Sequence, residues 1–202
     1  MSCARSWNPV LYEVPIIHFG SCCIPLRFTP YPSRCIVNIV LIGYRGTGKS
    51  TVGRLLAARL GRELVSTDAE IVKRAQRTIP EIVAQQGWDY FRDLESDICR
   101  ELASRDHLVI DTGGGAILRA QNVEALKKDG AVFWLTASVE TIAKRIGSDK
   151  QRPSLTETKS FVDEIQDVLG ERTPKYQAAA DHIIATDDQS INQLVETLLT
   201  LV

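Results

Sequence analysis

The chain has almost no excess of charge, few aromatic residues and no long hydrophobic run. Its 202 residues include 24 Lys and Arg against 25 Asp and Glu, a net charge of −1. A balance this close to neutral argues against nonspecific binding to nucleic acids or membrane surfaces as the main activity. The longest apolar stretches, such as residues 36–42, are far too short to cross a bilayer. Since 44% of the residues are hydrophobic, we expect one globular domain rather than a collagen-like or disordered chain.

Cysteine is nearly absent from most of the chain. Of the five cysteines, four lie in the first 35 residues and only Cys99 lies beyond them. A single cysteine cannot form a disulfide within the rest of the chain. A reducing compartment, and therefore a cytoplasmic location, is expected.

The first 35 residues differ from the remainder in composition. They contain five of the eight prolines and show little periodicity. Glu13, Pro15 and His18 interrupt any apolar stretch, which argues against a secretory signal. Three interpretations stay open: a disordered extension, residues upstream of the true translation start, or a transit peptide for a plastid or mitochondrion. We therefore divide the chain into an N-terminal extension, residues 1–35, and a folded domain, residues 36–202.

Within the folded domain, short β-branched runs alternate with helical periodicity. Strands are predicted at residues 36–42, 63–66, 108–110, 131–135 and 182–185. Helices are predicted at residues 52–60, 90–104, 120–128, 139–146, 161–169 and 191–201. This alternation predicts the α/β class, in which helices cover both faces of a parallel sheet.

A glycine-rich segment follows the first predicted strand and opens the first predicted helix. Residues 43–50, GYRGTGKS, fit the pattern G-x-x-x-x-G-K-[ST] in the required strand–turn–helix context. Such a loop turns its backbone N–H groups around a phosphate, and the helix N-terminus adds partial positive charge. Lys49 would reach the β- and γ-phosphates, and the Ser50 hydroxyl would bind Mg²⁺. A nucleoside triphosphate with Mg²⁺ is therefore the predicted ligand.

The phosphate loop alone is shared by several classes of protein. No N-K-x-D motif for reading guanine occurs in the sequence, and the chain is short for an AAA-type machine. These two observations favour a compact kinase that transfers phosphate to a small acceptor.

Candidate acceptor residues follow the second strand and lie in the helix beyond it. Asp68 could orient a hydroxyl or take its proton, or it could merely cap the helix that begins near Ala69. Arg92, in the segment FRDLE, presents a two-pronged donor suited to a carboxylate. The alternative for Arg92 is a solvated i,i+3 pair with Glu95 on a helix face.

Further candidates follow the third strand and flank the helix predicted at residues 161–169. Asp111 ends an apolar strand, as a magnesium-binding acid does in many phosphate-loop proteins, and residues 113–115 are three glycines. A tight turn is the alternative reading of those glycines. Arg152 lies in a polar loop and Arg172 near Pro174, which we expect to end a helix. A surface cation is the alternative for each arginine.

Taken in order, these motifs resemble those of shikimate kinase, over residues 36–202. The resemblance rests on segments 43–51, 91–95, 113–115, 152–153, 171–176 and 186–190, together with Asp68. It implies ATP-dependent phosphorylation of the 3-hydroxyl of shikimate, a step toward chorismate and the aromatic amino acids. It also implies a P-loop kinase fold of the nucleoside-monophosphate kinase type, with a five-stranded parallel sheet, helices on both faces and a lid near residues 147–158. Shikimate and ATP are the implied small-molecule partners, and we expect a monomer.

The resemblance carries site roles over position by position. Residues that resemble the nucleotide site are Gly46, Thr47, Gly48, Lys49, Ser50, Thr51, Arg145, Arg152 and Gln189. Residues that resemble the shikimate site are Asp68, Arg92, Gly113, Gly114, Gly115 and Arg172. Lys49, Asp68 and Arg152 are the implied catalytic residues, with Arg152 on the lid.

The sequence departs from the family pattern at two positions. Many members have an acid two residues before the counterpart of Asp68, where this chain has Ser66. Many also have a small neutral residue where this chain has Asp111. We predict that Asp111 takes over the missing acid's part in binding Mg²⁺, together with Ser50. The alternatives are another small-molecule kinase, such as a gluconate kinase, and a nucleotide-binding module without catalysis.

Overall fold

The computed structural model describes residues 38–147 and 161–202. The strands are β1 (Asn38–Ile42), β2 (Glu63–Ser66), β3 (Leu108–Asp111), β4 (Gly130–Thr136) and β5 (His182–Ala185). The helices are α1 (Lys49–Leu60), α2 (Thr67–Ala75), α3 (Ile79–Ala103), α4 (Ala120–Lys128), α5 (Val139–Ile146), α6 (Phe161–Ala179) and α7 (Ile191–Leu199). A short 3-10 helix spans Ala116–Leu118. The predicted N-terminal extension, Arg152 and nearly all of the predicted lid lie outside the described residues.

The five strands form one parallel sheet in the order β2-β3-β1-β4-β5. All five residues of β1 are buried, because the strand is central and both of its faces are covered. Val40 and Ile42 pack on one face with residues of α3, α4 and α6, whereas Ile39 and Leu41 pack on the other with α1 and α7. The predicted α/β class and five-stranded parallel sheet are confirmed.

The strand order brings three loops together at one edge of the sheet. β3 lies between β2 and β1, so Asp111 is the register neighbour of Leu41 on one side and of Ser66 on the other. The segments that follow β1, β2 and β3 leave the sheet side by side. Ligands of open α/β sheets bind at such carboxyl edges, so the fold assembles the predicted site residues there.

Two helix predictions differ from the structure. α3 begins at Ile79 rather than near residue 90, with a capping box between Thr78 and Glu81, and it is kinked at Gly87. Pro174 does not end a helix, because α6 continues through it to Ala179. The core packing of Tyr176 and Ala179, both buried, outweighs the local cost of an internal proline. No helix in the described ranges combines the length and apolar character needed to cross a membrane.

The buried side chain of Asn38 joins β1 to the start of β3. Its Nδ2 donates to the Arg105 carbonyl at 2.7 Å, and its Oδ1 accepts from the Leu108 N–H at 2.9 Å. We expect Asn38→Ala to lower the free energy of unfolding by about 2–4 kcal/mol, because two backbone groups lose their partner. Chemical denaturation measures this change. The exposed neighbour Asp106 provides the control, since Asp106→Ala should shift stability by less than about 0.5 kcal/mol.

Candidate active site

The loop after β1 is held in a conformation that requires glycine. Gly43 has φ +143°, and a Cβ there would overlap the Leu135 carbonyl oxygen. The Thr47 hydroxyl donates to the Tyr44 carbonyl at 2.8 Å and tightens the turn. Gly48 is the N-cap of α1 and supplies no side-chain acceptor to its first turn. The first-turn N–H groups of α1 can therefore donate to an anion.

Lys49 lies against this loop. Its side chain is buried, and Nζ donates to the carbonyls of Gly43 at 2.9 Å and Tyr44 at 3.1 Å. These contacts hold the ammonium group over the concave side of the loop. A phosphate bound there would meet both the backbone N–H groups and this cation.

Ser50 and Asp111 meet at the first turn of α1. The Ser50 hydroxyl donates to Asp111 Oδ2 at 2.6 Å, and Asp111 is only 6% exposed. The carboxylate reaches Ser50 because β3 is the neighbour of β1 in the sheet. A hydroxyl and a carboxylate are both oxygen donors of the kind that Mg²⁺ prefers. The pair therefore fits a magnesium site beside the phosphate loop.

A cavity of about 690 Å³ opens along the carboxyl edge of the sheet. The phosphate loop, Asp68, Asp111 and the first two glycines of residues 113–115 line it. Arg145 and Gln189 line its far end. The volume falls in the range of cofactor pockets, so the cavity can hold a nucleotide.

The far end of the cavity joins α5 to the loop after β5. Arg145 donates to the Thr186 hydroxyl at 2.9 Å, to the Thr186 carbonyl at 3.0 Å and to the Gly46 carbonyl at 3.3 Å. Gln189 donates to the Ala185 carbonyl at 3.0 Å. Arg145 therefore lies against the phosphate loop, and both predicted nucleotide residues line the same cavity.

Asp68 lies in the first turn of α2, against the turn that follows β3. Ser66, and not Asp68, is the N-cap, because the Ser66 hydroxyl accepts from the Ala69 N–H at 3.4 Å. The alternative that Asp68 serves as the cap is therefore wrong. The buried Thr67 hydroxyl accepts from the Gly113 N–H at 2.8 Å, which fixes α2 against residues 113–115. A Cβ at Gly113 would come 2.6 Å from Asp68 Oδ1.

Arg92 is paired with Glu95 in the interior rather than on a solvated face. Arg92 Nη1 donates to Glu95 Oε2 at 2.5 Å, with the two side chains 16% and 1% exposed. The guanidinium also lies over the rings of Phe91 and Trp88, at 5.0 and 5.6 Å from their centroids. It packs so closely on Gly115 that a Cβ would overlap it. The surface-pair alternative is therefore wrong.

Glu95 is a functional candidate that the sequence patterns assign only as the partner of Arg92. Burial raises the pKa of its carboxyl, while the charge of Arg92 acts in the opposite direction. Its Oε1 has no hydrogen-bond partner among the described residues and lies near Gly113, beside Asp68. A buried acceptor of this kind is suited to a ligand hydroxyl or an ordered water.

Arg172 reaches the same turn from α6. Its Nη1 donates to the Gly114 carbonyl at 3.2 Å, and the Tyr176 hydroxyl donates to that carbonyl at 2.5 Å. Arg172 Nε is buried and has no partner within the described part of the chain. Arg92 and Arg172 therefore bring two cations to one turn, with one buried donor suited to an anionic ligand.

Most of the predicted site residues are brought together, in two groups. The described residues of the nucleotide group line the cavity, whereas Arg92, Gly115 and Arg172 lie outside its lining. Arg152 lies outside the described residues. Tyr176 and Thr67 are absent from the predicted set. The spacing of Tyr176, one turn after Arg172 on the same helix face, is the sequence signal that could have revealed it.

Known proteins with similar sequences share one description. The profile of the shikimate kinase family matches residues 45–202. A shikimate kinase of Nitratidesulfovibrio vulgaris is 46% identical over 155 residues, which cover 75% of this chain and 88% of that protein. A second, of Pelotomaculum thermopropionicum, is 43% identical over 162 residues, which cover 80% of this chain and 93% of that protein.

Solved structures agree with the sequence comparison. The shikimate kinase of Acinetobacter baumannii, solved in complex with shikimate, is similar with a TM-score of 0.77 and 40% identity. The match covers 83% of this chain and 93% of that one. The shikimate kinase of Aquifex aeolicus is similar with a TM-score of 0.70 and 31% identity, over 81% of this chain and 94% of that one.

Proposed function

Because this chain belongs to the shikimate kinase family, we propose that one group of site residues binds ATP and the other binds shikimate. The protein is a kinase that phosphorylates shikimate with ATP. One observation supports the assignment of roles: the phosphate loop and Asp68 line one cavity, and two arginines meet at the glycine turn that Asp68 approaches. Phosphoryl transfer depends mainly on positioning and charge neutralisation, which such an arrangement supplies.

Residues 46–51 hold the phosphates of ATP. The N–H groups at the start of α1 bind phosphate oxygens, and Lys49 exchanges its carbonyl contacts for the β- and γ-phosphates. Arg145 and Gln189 line the adenine end of the cavity. Arg152, which the resemblance places on the lid, would neutralise charge on the transferred group.

Ser50 and Asp111 hold Mg²⁺ in this proposal. Their 2.6 Å contact brings a hydroxyl and a buried carboxylate together at the start of α1, and these two groups would hold the cation. Mg²⁺ supplies positive charge to the β- and γ-phosphate oxygens when it is bound. Ser66 is the register neighbour of Asp111 on β2, so the acid lies one strand away from the position where the family pattern has it.

Arg92 and Arg172 bind the carboxylate of shikimate. The Nε of Arg172, which has no partner among the described residues, and the planar guanidinium of Arg92 offer donors suited to a carboxylate. At the other end of the substrate, Asp68 accepts a hydrogen bond from the 3-hydroxyl and takes its proton as the phosphoryl group is transferred. The glycines at 113–115 allow the ring to approach the backbone closely.

We also propose residues 36–202 as the catalytic domain, acting as a monomer. A cytoplasmic location is consistent with Cys99, which is buried and free of any disulfide. Residues 1–35 then form an extension that the reaction does not require.

An ADP-release assay tests the proposed function. Purified full-length protein is supplied with ATP, Mg²⁺ and either shikimate, gluconate or no acceptor. Turnover that requires shikimate is the expected result. Turnover with gluconate alone would indicate a different kinase, and binding of ATP without turnover would indicate a module that lacks catalysis.

Removal of Arg92 should impair binding of shikimate more than catalysis. A hydrogen bond to a charged group contributes about 1.5–3 kcal/mol, so Arg92→Ala should raise the shikimate KM roughly 10- to 100-fold. The ATP KM should stay within about twofold, and Arg92→Lys should be intermediate because it keeps the charge but loses the fork. Steady-state kinetics measures these values. Arg100→Ala, on the exposed part of α3, is the control and should resemble wild type.

Removal of Asp111 should weaken the response to Mg²⁺. We expect Asp111→Ala to raise the Mg²⁺ concentration for half-maximal turnover by roughly tenfold or more, because a charged oxygen ligand is lost. Ser66→Ala should change that Mg²⁺ concentration little. Adding Ser66→Asp to Asp111→Ala should partly restore the response to Mg²⁺, since the two positions are register neighbours. The affinity for a fluorescent ADP with and without Mg²⁺ provides a second readout. Wild-type Mg²⁺ dependence in Asp111→Ala would contradict the assignment.

A further inference from the structure

Two donors from one helix meet at a single carbonyl of the glycine turn. Arg172 and Tyr176 lie one turn apart on α6, and both donate to the Gly114 carbonyl, at 3.2 and 2.5 Å. A carbonyl oxygen has two lone pairs, so these two donors complete its hydrogen bonding. The two contacts are unequal, and the shorter belongs to the residue to which the resemblance gives no role.

The surroundings of Tyr176 make its hydroxyl a fixed donor. The side chain is fully buried, and its ring stacks on that of Trp134, with centroids 5.6 Å apart and planes at 14°. Burial raises the pKa of the phenol to about 12, so the group keeps its proton at neutral pH. A tyrosine has two rotatable side-chain bonds, whereas an arginine has four that must be ordered. Tyr176 is therefore the more rigid of the two anchors.

We propose that Tyr176 is a positioning residue for shikimate, which fixes the Gly114–Gly115 peptide and leaves Arg172 donors for the carboxylate. This inference rests on the proposed function of the site. The C=O and N–H of a trans peptide point in opposite directions, so a carbonyl held toward α6 sets where the Gly115 N–H faces. The same peptide supports Arg92, which packs directly on Gly115.

Without the Tyr176 hydroxyl, the carbonyl would depend on Arg172 alone. Arg172 would then be drawn toward a full hydrogen bond with Gly114 and away from its ligand. Both cations of the acceptor site would lose alignment, while the phosphate loop would keep its geometry through its own contacts, such as the Thr47 hydroxyl donating to the Tyr44 carbonyl. The expected signature is a selective loss of shikimate affinity.

The variant Tyr176→Phe tests this inference because it removes the hydroxyl and keeps the ring that stacks on Trp134. We expect the shikimate KM, and the Kd measured by calorimetry, to rise about 3- to 10-fold, as for the loss of one neutral hydrogen bond. The ATP KM should change by less than about twofold. Tyr90→Phe is the matched control, because Tyr90 is 41% exposed, and it should behave as wild type.

Three outcomes would overturn the inference. An unchanged shikimate KM and Kd in Tyr176→Phe would show that the hydroxyl does not position the site. Equal losses of affinity for shikimate and for ATP in Tyr176→Phe, together with a lower Tm, would show that the hydroxyl has a structural role alone. Should Tyr176→Phe not fold, Trp134→Phe loosens the stack instead, and a wild-type shikimate Kd in that variant would count against the inference. Wild-type protein that neither binds nor phosphorylates shikimate would refute the proposed function itself.

Discussion

Residues 113–115 form a turn without side chains, and each arm of the proposed acceptor site packs against its backbone. Asp68 and Glu95 approach Gly113 so closely that a Cβ there would come within 2.6 and 3.0 Å of their carboxylate oxygens. The guanidinium of Arg92 occupies the space where a Cβ of Gly115 would project. Since the turn takes up almost no volume, charged side chains of opposite sign from three helices can lie near one another.

The position of this turn follows from the order of the strands. β3 lies between β1 and β2, so the segment that follows it separates the phosphate loop from α2. The last residue of β3, Asp111, contacts Ser50 beside the phosphate loop. The glycine turn that follows β3 contacts α2 through Thr67. In the proposed function, two substrates held on either side of one short turn would have little freedom relative to each other. Catalysis of phosphoryl transfer comes mainly from such positioning together with neutralisation of charge.

Much of this arrangement could be predicted from the sequence, since its signals are local. The phosphate loop has a fixed spacing between a buried strand and a helix, and Asp68 and Asp111 each follow an apolar run. The environment of Arg92 could not be predicted, because an i,i+3 pair with Glu95 has the same spacing whether it is solvated or buried. The prediction that Pro174 ends a helix is wrong for a related reason. Core packing of Tyr176 and Ala179 stabilises α6 beyond a residue that normally ends a helix. Burial depends on contacts between distant segments, which local patterns do not contain.

The most direct test concerns the glycine turn, which we propose shapes the site for shikimate. Calorimetric titration of shikimate and of ADP with Mg²⁺ into wild type and Gly115→Ala measures this. A methyl group at residue 115 would displace Arg92 but lies outside the lining of the nucleotide cavity. We expect Gly115→Ala to bind ADP as wild type does and to bind shikimate at least tenfold more weakly. Shikimate affinity equal to that of wild type in this variant would contradict this proposal.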